Sequence, residues 1–119
     1  MLRVDNLHSG YGTSRILRGV TLEAGTGLVT VVIGRNGVGK TTLLKTIMGL
    51  VEAREGRIAI DDHSIAKRAP HEIARAGVAY VPEGRQIFPA LTVAENLQVG
   101  QRRPSRQWPT KRLFALFPN

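Results

Sequence analysis

A glycine-rich segment between an apolar run and a helical pattern is the feature that most constrains this chain. The segment has the form Gly34-x4-Gly39-Lys40-Thr41. It follows the β-branched run Leu28 to Ile33, which favours a strand buried on both faces, and it precedes apolar residues at helical spacing. A strand that leads into such a loop, with a helix leaving it, is the context of a phosphate-binding loop. A glycine-rich turn without a ligand is the less favoured interpretation.

The residue types in this loop suit phosphate binding. Glycines let successive backbone N–H groups point inward at phosphate oxygens and let the backbone approach closely. Lys40 would place positive charge on the β- and γ-phosphates, Thr41 offers a hydroxyl to Mg²⁺, and the helix from Lys40 would direct its dipole at the anion. The predicted phosphate-binding residues are consecutive: Gly34, Arg35, Asn36, Gly37, Val38, Gly39, Lys40, Thr41 and Thr42.

Composition and charge exclude several other classes of site. The chain has no cysteine, so a disulfide framework, a zinc finger and a thiol nucleophile are excluded. The net charge is +8, and residues 101–119 supply +5 of it without an acid. We expect this tail to be a solvated helix rather than a nucleic-acid or lipid site. His8, His63 and His71 lack metal-ligand spacing, and Asp61-Asp62 is typical of a turn.

Hydrophobic spacing predicts alternating strands and helices. The predicted strands are Leu2–Leu7, Ile16–Ala24, Leu28–Ile33, Gly56–Asp61 and Val78–Val81. The predicted helices are Lys40–Leu50, Pro70–Ala76, Val93–Val99 and Trp108–Phe117. Thr92 and Glu95 form a capping-box pattern, and loops are expected at His8–Thr13, Pro82–Pro89 and Gln101–Gln107.

Four segments resemble the ATP-binding subunit of ABC transporters. They are SGYG with ILRGVTLEAGTG, then GRNGVGKTTLLKTIMGL, then EGRIAIDD, and finally AYVPEGRQIFPALTVAENL. The resemblance implies an α/β fold of the P-loop NTPase class, as the N-terminal portion of an ABC ATPase nucleotide-binding domain. It places a core with the phosphate loop in residues 1–100 and a basic linker with the start of a helical subdomain in residues 101–119. Asp62 departs from the family's usual Gly, but Asp tolerates the turn conformation.

The resemblance also implies roles for two residues outside the loop. Tyr11 occupies the aromatic position that stacks on adenine. Glu83 occupies a position where most of the family has Gln, in a loop that senses the γ-phosphate and touches the membrane partner. A carboxylate only accepts hydrogen bonds, so Glu83 would act through Mg²⁺ or water or would point elsewhere.

The implied cofactors are ATP and Mg²⁺, and the implied partners are membrane-bound. They are transmembrane permease subunits and a second ATP-binding subunit in a head-to-tail dimer, at the cytoplasmic face of the inner membrane. The VPEGR segment is similar to subunits of branched-chain amino acid importers. GRNGVGKTTLLK with a similar loop also resembles the ATPases of urea and short-amide importers. An ABC ATPase of another transport or nucleic-acid system and a non-functional remnant are the alternatives, and no nucleic acid is expected as a partner.

Several family elements are absent from residues 1–119. These are an LSGGQ-type signature, the acidic strand end that binds Mg²⁺, the catalytic Glu beside it and a later His. The resemblance therefore implies a C-terminally truncated piece without catalytic residues. We expect weak nucleotide binding at best and no turnover above background.

Overall fold

The computed structural model describes residues 1–84, 86–101 and 108–118. The chain divides into two compact units, Met1–Tyr80 and Val81–Asn119. The first unit contains the sheet and the phosphate-loop segment, and the second contains Glu83 and the helices that follow it. In the described part of the chain, no helix combines the length and the apolar character that crossing a membrane requires.

The first unit is built around an antiparallel sheet of four strands in the order β2-β1-β3-β4. Its elements are β1 (Leu2–Tyr11), β2 (Ser14–Ala24), α1 (Lys40–Ile47), β3 (Ala53–Ile60), β4 (His63–Ser64) and α2 (Pro70–Arg75). Buried apolar side chains from the sheet and both helices form one core. They are Val4, Leu7, Leu17, Leu43, Ile47, Ala53, Ile58, Ile65 and Ile73. The α/β fold class is therefore confirmed.

The second unit contains two short helices, α3 (Val93–Gly100) and α4 (Thr110–Leu116). The predicted capping box begins α3: the Glu95 backbone N–H donates to Thr92 Oγ1 at 3.3 Å. In return, the Thr92 N–H and hydroxyl both donate to the Glu95 carboxylate at 2.7 Å. The predicted loop before α3 is confirmed in its described residues, and most of the predicted linker at 101–107 lies outside them.

Two predicted strands are wrong. Leu28–Ile33 and Val78–Val81 form no strand. The first segment is exposed throughout, with Val29 at 94%, whereas in the second Val78 packs against the core and Val81 is 91% exposed. A strand needs hydrogen-bonding neighbours, and no described residue pairs with either segment. The apolar pattern therefore identified segments suited to a buried sheet, but the described residues supply no strand to bury them.

Smaller differences arise where long-range pairing overrides local turn signals. The predicted loop at His8–Thr13 is mostly strand, because β2 pairs with β1 as far as Tyr11 and leaves only Gly12 and Thr13 as the turn. Helix α1 ends at Ile47 rather than Leu50, and α4 is shorter than predicted. Helix α2 begins at Pro70 as predicted, with Gly77 following in a left-handed conformation.

Gly56 allows β3 to pass an irregularity in β1. The β1–β3 register shifts between Asp5 and His8, where Asn6 has φ 45°. Gly56 itself has φ 94°, and a Cβ there would lie 2.4 Å from the Asn6 carbonyl oxygen. Only a residue without a side chain fits this crossing.

We expect Gly56→Ala to lower the free energy of unfolding by about 2 kcal/mol or more, from positive φ and backbone overlap together. Urea denaturation measures the change. Gly100→Ala is the matched control, because a Cβ there meets no atom within 4 Å. Equal stability of the two variants would contradict this account of the crossing.

The ionisation of Glu95 makes the stability of α3, in the second unit, depend on pH. The hydrogen bond from the Thr92 hydroxyl, and then that from the Thr92 N–H, lower the Glu95 pKa below its ordinary value of 4.5. Since the folded pKa is the lower one, the stabilisation of α3 is complete above pH 4.5 and is lost as pH falls through the folded value. We expect an NMR titration to show the Glu95 carboxyl and the α3 amides changing together below pH 4.5. A Glu95 pKa at or above 4.5 would be the contrary result.

Candidate nucleotide-binding site

The predicted phosphate loop forms a turn that leads directly into helix α1. Asn36 and Gly37 make the turn, and Gly39 is the N-cap of α1, with φ 107° and ψ 6°. The Gly39 carbonyl accepts the first helical hydrogen bond, from the Leu43 N–H at 2.8 Å. The free N–H groups at the start of α1 therefore lie at the end of the loop, where an anion is favoured.

Strand β2 supports the end of the loop. A Cβ on Gly39 would lie 3.0 Å from Ile16 Cγ2 and 3.0 Å from Leu17 Cδ2. Glycine is thus favoured twice at this position, by the left-handed backbone and by the close packing of β2 against it. The glycine pattern in the sequence indicated the first requirement but carried no signal for the second.

Lys40 folds back over the loop. Its Nζ donates to the carbonyl oxygens of Gly34 and Arg35, each at 2.7 Å. An ammonium group has three protons, so one remains for a further acceptor. The two carbonyls hold the positive charge beside the curled backbone of the loop.

The two threonines after Lys40 have different environments. Thr41 is exposed in the first turn of α1, whereas Thr42 is buried. An exposed hydroxyl beside the loop fits Mg²⁺, which usually keeps several waters and takes its other ligands from phosphates. Among the described residues, no group of three or more His, Asp or Glu side chains is arranged to hold a metal ion.

Tyr11 lies at the end of β1, on the hairpin whose second strand contacts Gly39. Its side chain is half exposed, and the residue pairs with Ser14 across a tight turn. The Arg54 guanidinium donates to the Gly12 carbonyl and fixes that turn. The hairpin therefore presents the aromatic ring from the same supersecondary unit that supports the phosphate loop.

A buried chain of hydroxyl contacts links this hairpin to α1. Ser9 Oγ lies 2.8 Å from the Glu52 carbonyl oxygen and 2.9 Å from Thr46 Oγ1. Thr46 Oγ1 also lies 2.7 Å from the Thr42 carbonyl oxygen, one turn earlier in the helix. This link could not be predicted from the sequence, because Ser9 and Thr46 are far apart in the chain and match no motif.

Glu83 belongs to the second unit, where its side chain is exposed. The loop that follows it is held by Asn96 of α3. Asn96 Oδ1 accepts from the Phe88 N–H at 2.9 Å, and Nδ2 faces the carbonyls of Phe88, Leu91 and Thr92 at 3.0–3.1 Å. This loop and α3 enclose an apolar groove of about 410 Å³, lined by Ile87, Phe88, Val93, Leu97 and Val99 among others.

Comparison with known proteins gives consistent matches. The ABC transporter family model matches residues 17–117. The high-affinity branched-chain amino acid transport ATP-binding protein BraG of Pseudomonas aeruginosa is 39% identical over 121 residues, which cover 99% of this chain and 52% of BraG. The ribose import ATP-binding protein RbsA 2 of Rubrobacter xylanophilus is 37% identical over 108 residues, which cover 91% of this chain and 21% of RbsA 2.

The fold also matches a solved structure. A bacterial Atm1-family ABC exporter with ATP bound superposes with a TM-score of 0.75 and 29% identity, over 89% of this chain and 18% of the exporter. The chain spans about half the length of BraG and about a fifth of RbsA 2. With the family model matching most of the sequence, the chain belongs to the ABC transporter family and has the fold of part of an ABC ATPase nucleotide-binding domain.

Proposed function

We propose that this chain is the nucleotide-binding part of the ATP-binding component of an importer. The observation that carries the proposal is the position of the Lys40 ammonium, held at 2.7 Å by two loop carbonyls beside the start of α1. Backbone N–H groups and this charge together form a site for the β- and γ-phosphates of ATP. Gly34–Thr42 binds the phosphates in this proposal, and Tyr11 stacks on the adenine ring.

Thr41 would hold Mg²⁺ through its hydroxyl. The ion would neutralise phosphate charge and leave its other coordination positions to water and phosphate oxygens. The chain's own contributions are the rigid start of α1, the loop N–H groups and Lys40. Glu83, by its position in the sequence, would act through Mg²⁺ or water.

The partners in this proposal are a second ATP-binding subunit and transmembrane permease subunits. The apolar groove between α3 and the loop that Asn96 holds supports the contact with the permease subunits, because exposed apolar concavities favour protein contacts. Docking on a permease would place the chain at the cytoplasmic face of the membrane as a peripheral component.

For the transported solute we propose branched-chain amino acids, with urea and short amides as the alternative. The match with BraG covers nearly the whole of this chain, and the VPEGR segment supports the same class. RbsA 2, whose name specifies ribose, matches at a similar identity over less of the chain. Uptake of labelled leucine and ribose by cells with and without the gene distinguishes the two.

Removal of the Lys40 charge tests the phosphate site directly. We expect Lys40→Ala to weaken MgATP binding by about 10- to 100-fold, because charged hydrogen bonds are worth about 1.5–3 kcal/mol. Isothermal titration calorimetry measures the affinity. Lys45→Ala is the matched control, since it removes the same charge from the last turn of the same helix. Equal affinity of the two variants would refute the role of Lys40.

The 119-residue polypeptide is expected to bind without turnover. It has a phosphate loop, but its sequence contains neither the LSGGQ-type signature nor an acidic strand end with an adjacent Glu. Phosphate release measured with and without Mg²⁺ should stay at the background rate. Magnesium-dependent hydrolysis that disappears in Lys40→Ala would overturn this expectation.

A further inference from the structure

The hydroxyls of Ser9 and Thr46 form a contact set with fewer protons than contacts. Three close contacts are present: Ser9 to the Glu52 carbonyl, Thr46 to the Thr42 carbonyl, and Ser9 to Thr46. Each hydroxyl carries one proton and both carbonyls only accept, so two protons serve three contacts. One contact is therefore always without a hydrogen.

The burial of both side chains determines which of the three contacts are hydrogen-bonded. Ser9 is 0% exposed and Thr46 is 2% exposed, so water does not substitute for a missing partner. Two facing hydroxyl oxygens at 2.9 Å without a proton between them would repel, which favours arrangements that keep the Ser9–Thr46 bond. Either Ser9 donates to Thr46 and releases the Glu52 carbonyl, or Thr46 donates to Ser9 and releases the Thr42 carbonyl.

The Ser9–Thr46 bond is the common member of both arrangements, and it joins two parts of the candidate site. Ser9 lies two residues before Tyr11 on β1, next to the register shift between Ser9 and Gly10. Thr46 lies one helical turn after Thr42, on the helix that begins with Lys40. Unlike an apolar contact, a hydroxyl pair is directional and fixes how the strand lies along the helix.

We propose that Ser9 and Thr46 are positioning residues that align Tyr11 with the phosphate loop, so that one nucleotide reaches both. The pair touches neither adenine nor phosphate, and its effect is confined to ligands that use both ends of the site. This role rests on the proposed binding of ATP by the loop and Tyr11.

The test compares ATP with inorganic tripolyphosphate, which has the phosphates and lacks the base. Thr46→Val keeps the shape of the side chain and removes its hydroxyl. We expect it to weaken ATP binding by about three- to tenfold and to leave tripolyphosphate binding unchanged. Thr46→Ser, which restores the hydroxyl, should recover the preference for ATP.

Thr21→Val is the matched control. Its hydroxyl accepts from the Asn6 N–H at 3.0 Å in the same hairpin, so the variant loses an exposed hydrogen bond away from α1. Thr21→Val should keep the preference for ATP over tripolyphosphate, whether or not the substitution changes the stability of the fold. In a Tyr11→Leu background, Thr46→Val should have no further effect on the preference, because the ring that it aligns is absent.

If Thr46→Val weakened the binding of ATP and of tripolyphosphate equally, the proposal would be overturned. The Ser9–Thr46 pair would then contribute to helix stability alone. Should Thr46→Val unfold, Ser9→Ala carries the same test, since it removes one of the two protons and leaves α1 unchanged. Tripolyphosphate binding without any preference for ATP in the unchanged chain would refute the alignment while sparing the phosphate site. Failure of the unchanged chain to bind either ligand would refute the proposed function, and this role with it.

Discussion

The packing of helix α1 on the β1–β2 hairpin is the interaction on which the candidate site depends. An eight-residue helix is not stable by itself in water, so α1 exists because Leu43 and Ile47 are buried in the core of the sheet. The same packing brings Gly39 against Ile16 and Leu17 and thereby fixes where the helix begins. The shape of the phosphate loop is therefore a consequence of tertiary burial, not of glycine content alone.

Features encoded within a few residues could be predicted from the sequence. The cap of α3 needs only Thr92 and Glu95, the start of α2 needs Pro70, and the loop before α1 needs its glycines and Lys40. In each case the interacting groups are separated by six residues or fewer, so the pattern and the interaction coincide. The outline of the phosphate loop belongs to this class.

Features that depend on distant partners could not be predicted. The extension of β1 to Tyr11 requires β2, and the link between Ser9 and Thr46 joins residues 37 apart. The error at Leu28–Ile33 has the same origin. A β-branched apolar run shows that a segment is suited to a buried strand, but whether a neighbouring strand pairs with it is decided elsewhere in the fold.

The distribution of charge around α1 explains why Lys40 binds backbone carbonyls. Between Glu23 and Glu52 the sequence has no acid, yet it contains Arg35, Lys40 and Lys45. Among the described residues, none of these three bases forms an ion pair. Lys40 instead meets the partial negative charge of two backbone oxygens, which solvate the ammonium without neutralising it. The segment therefore keeps an uncompensated positive charge beside the helix N-terminus, and an anion that brings several negative oxygens gains from both at once.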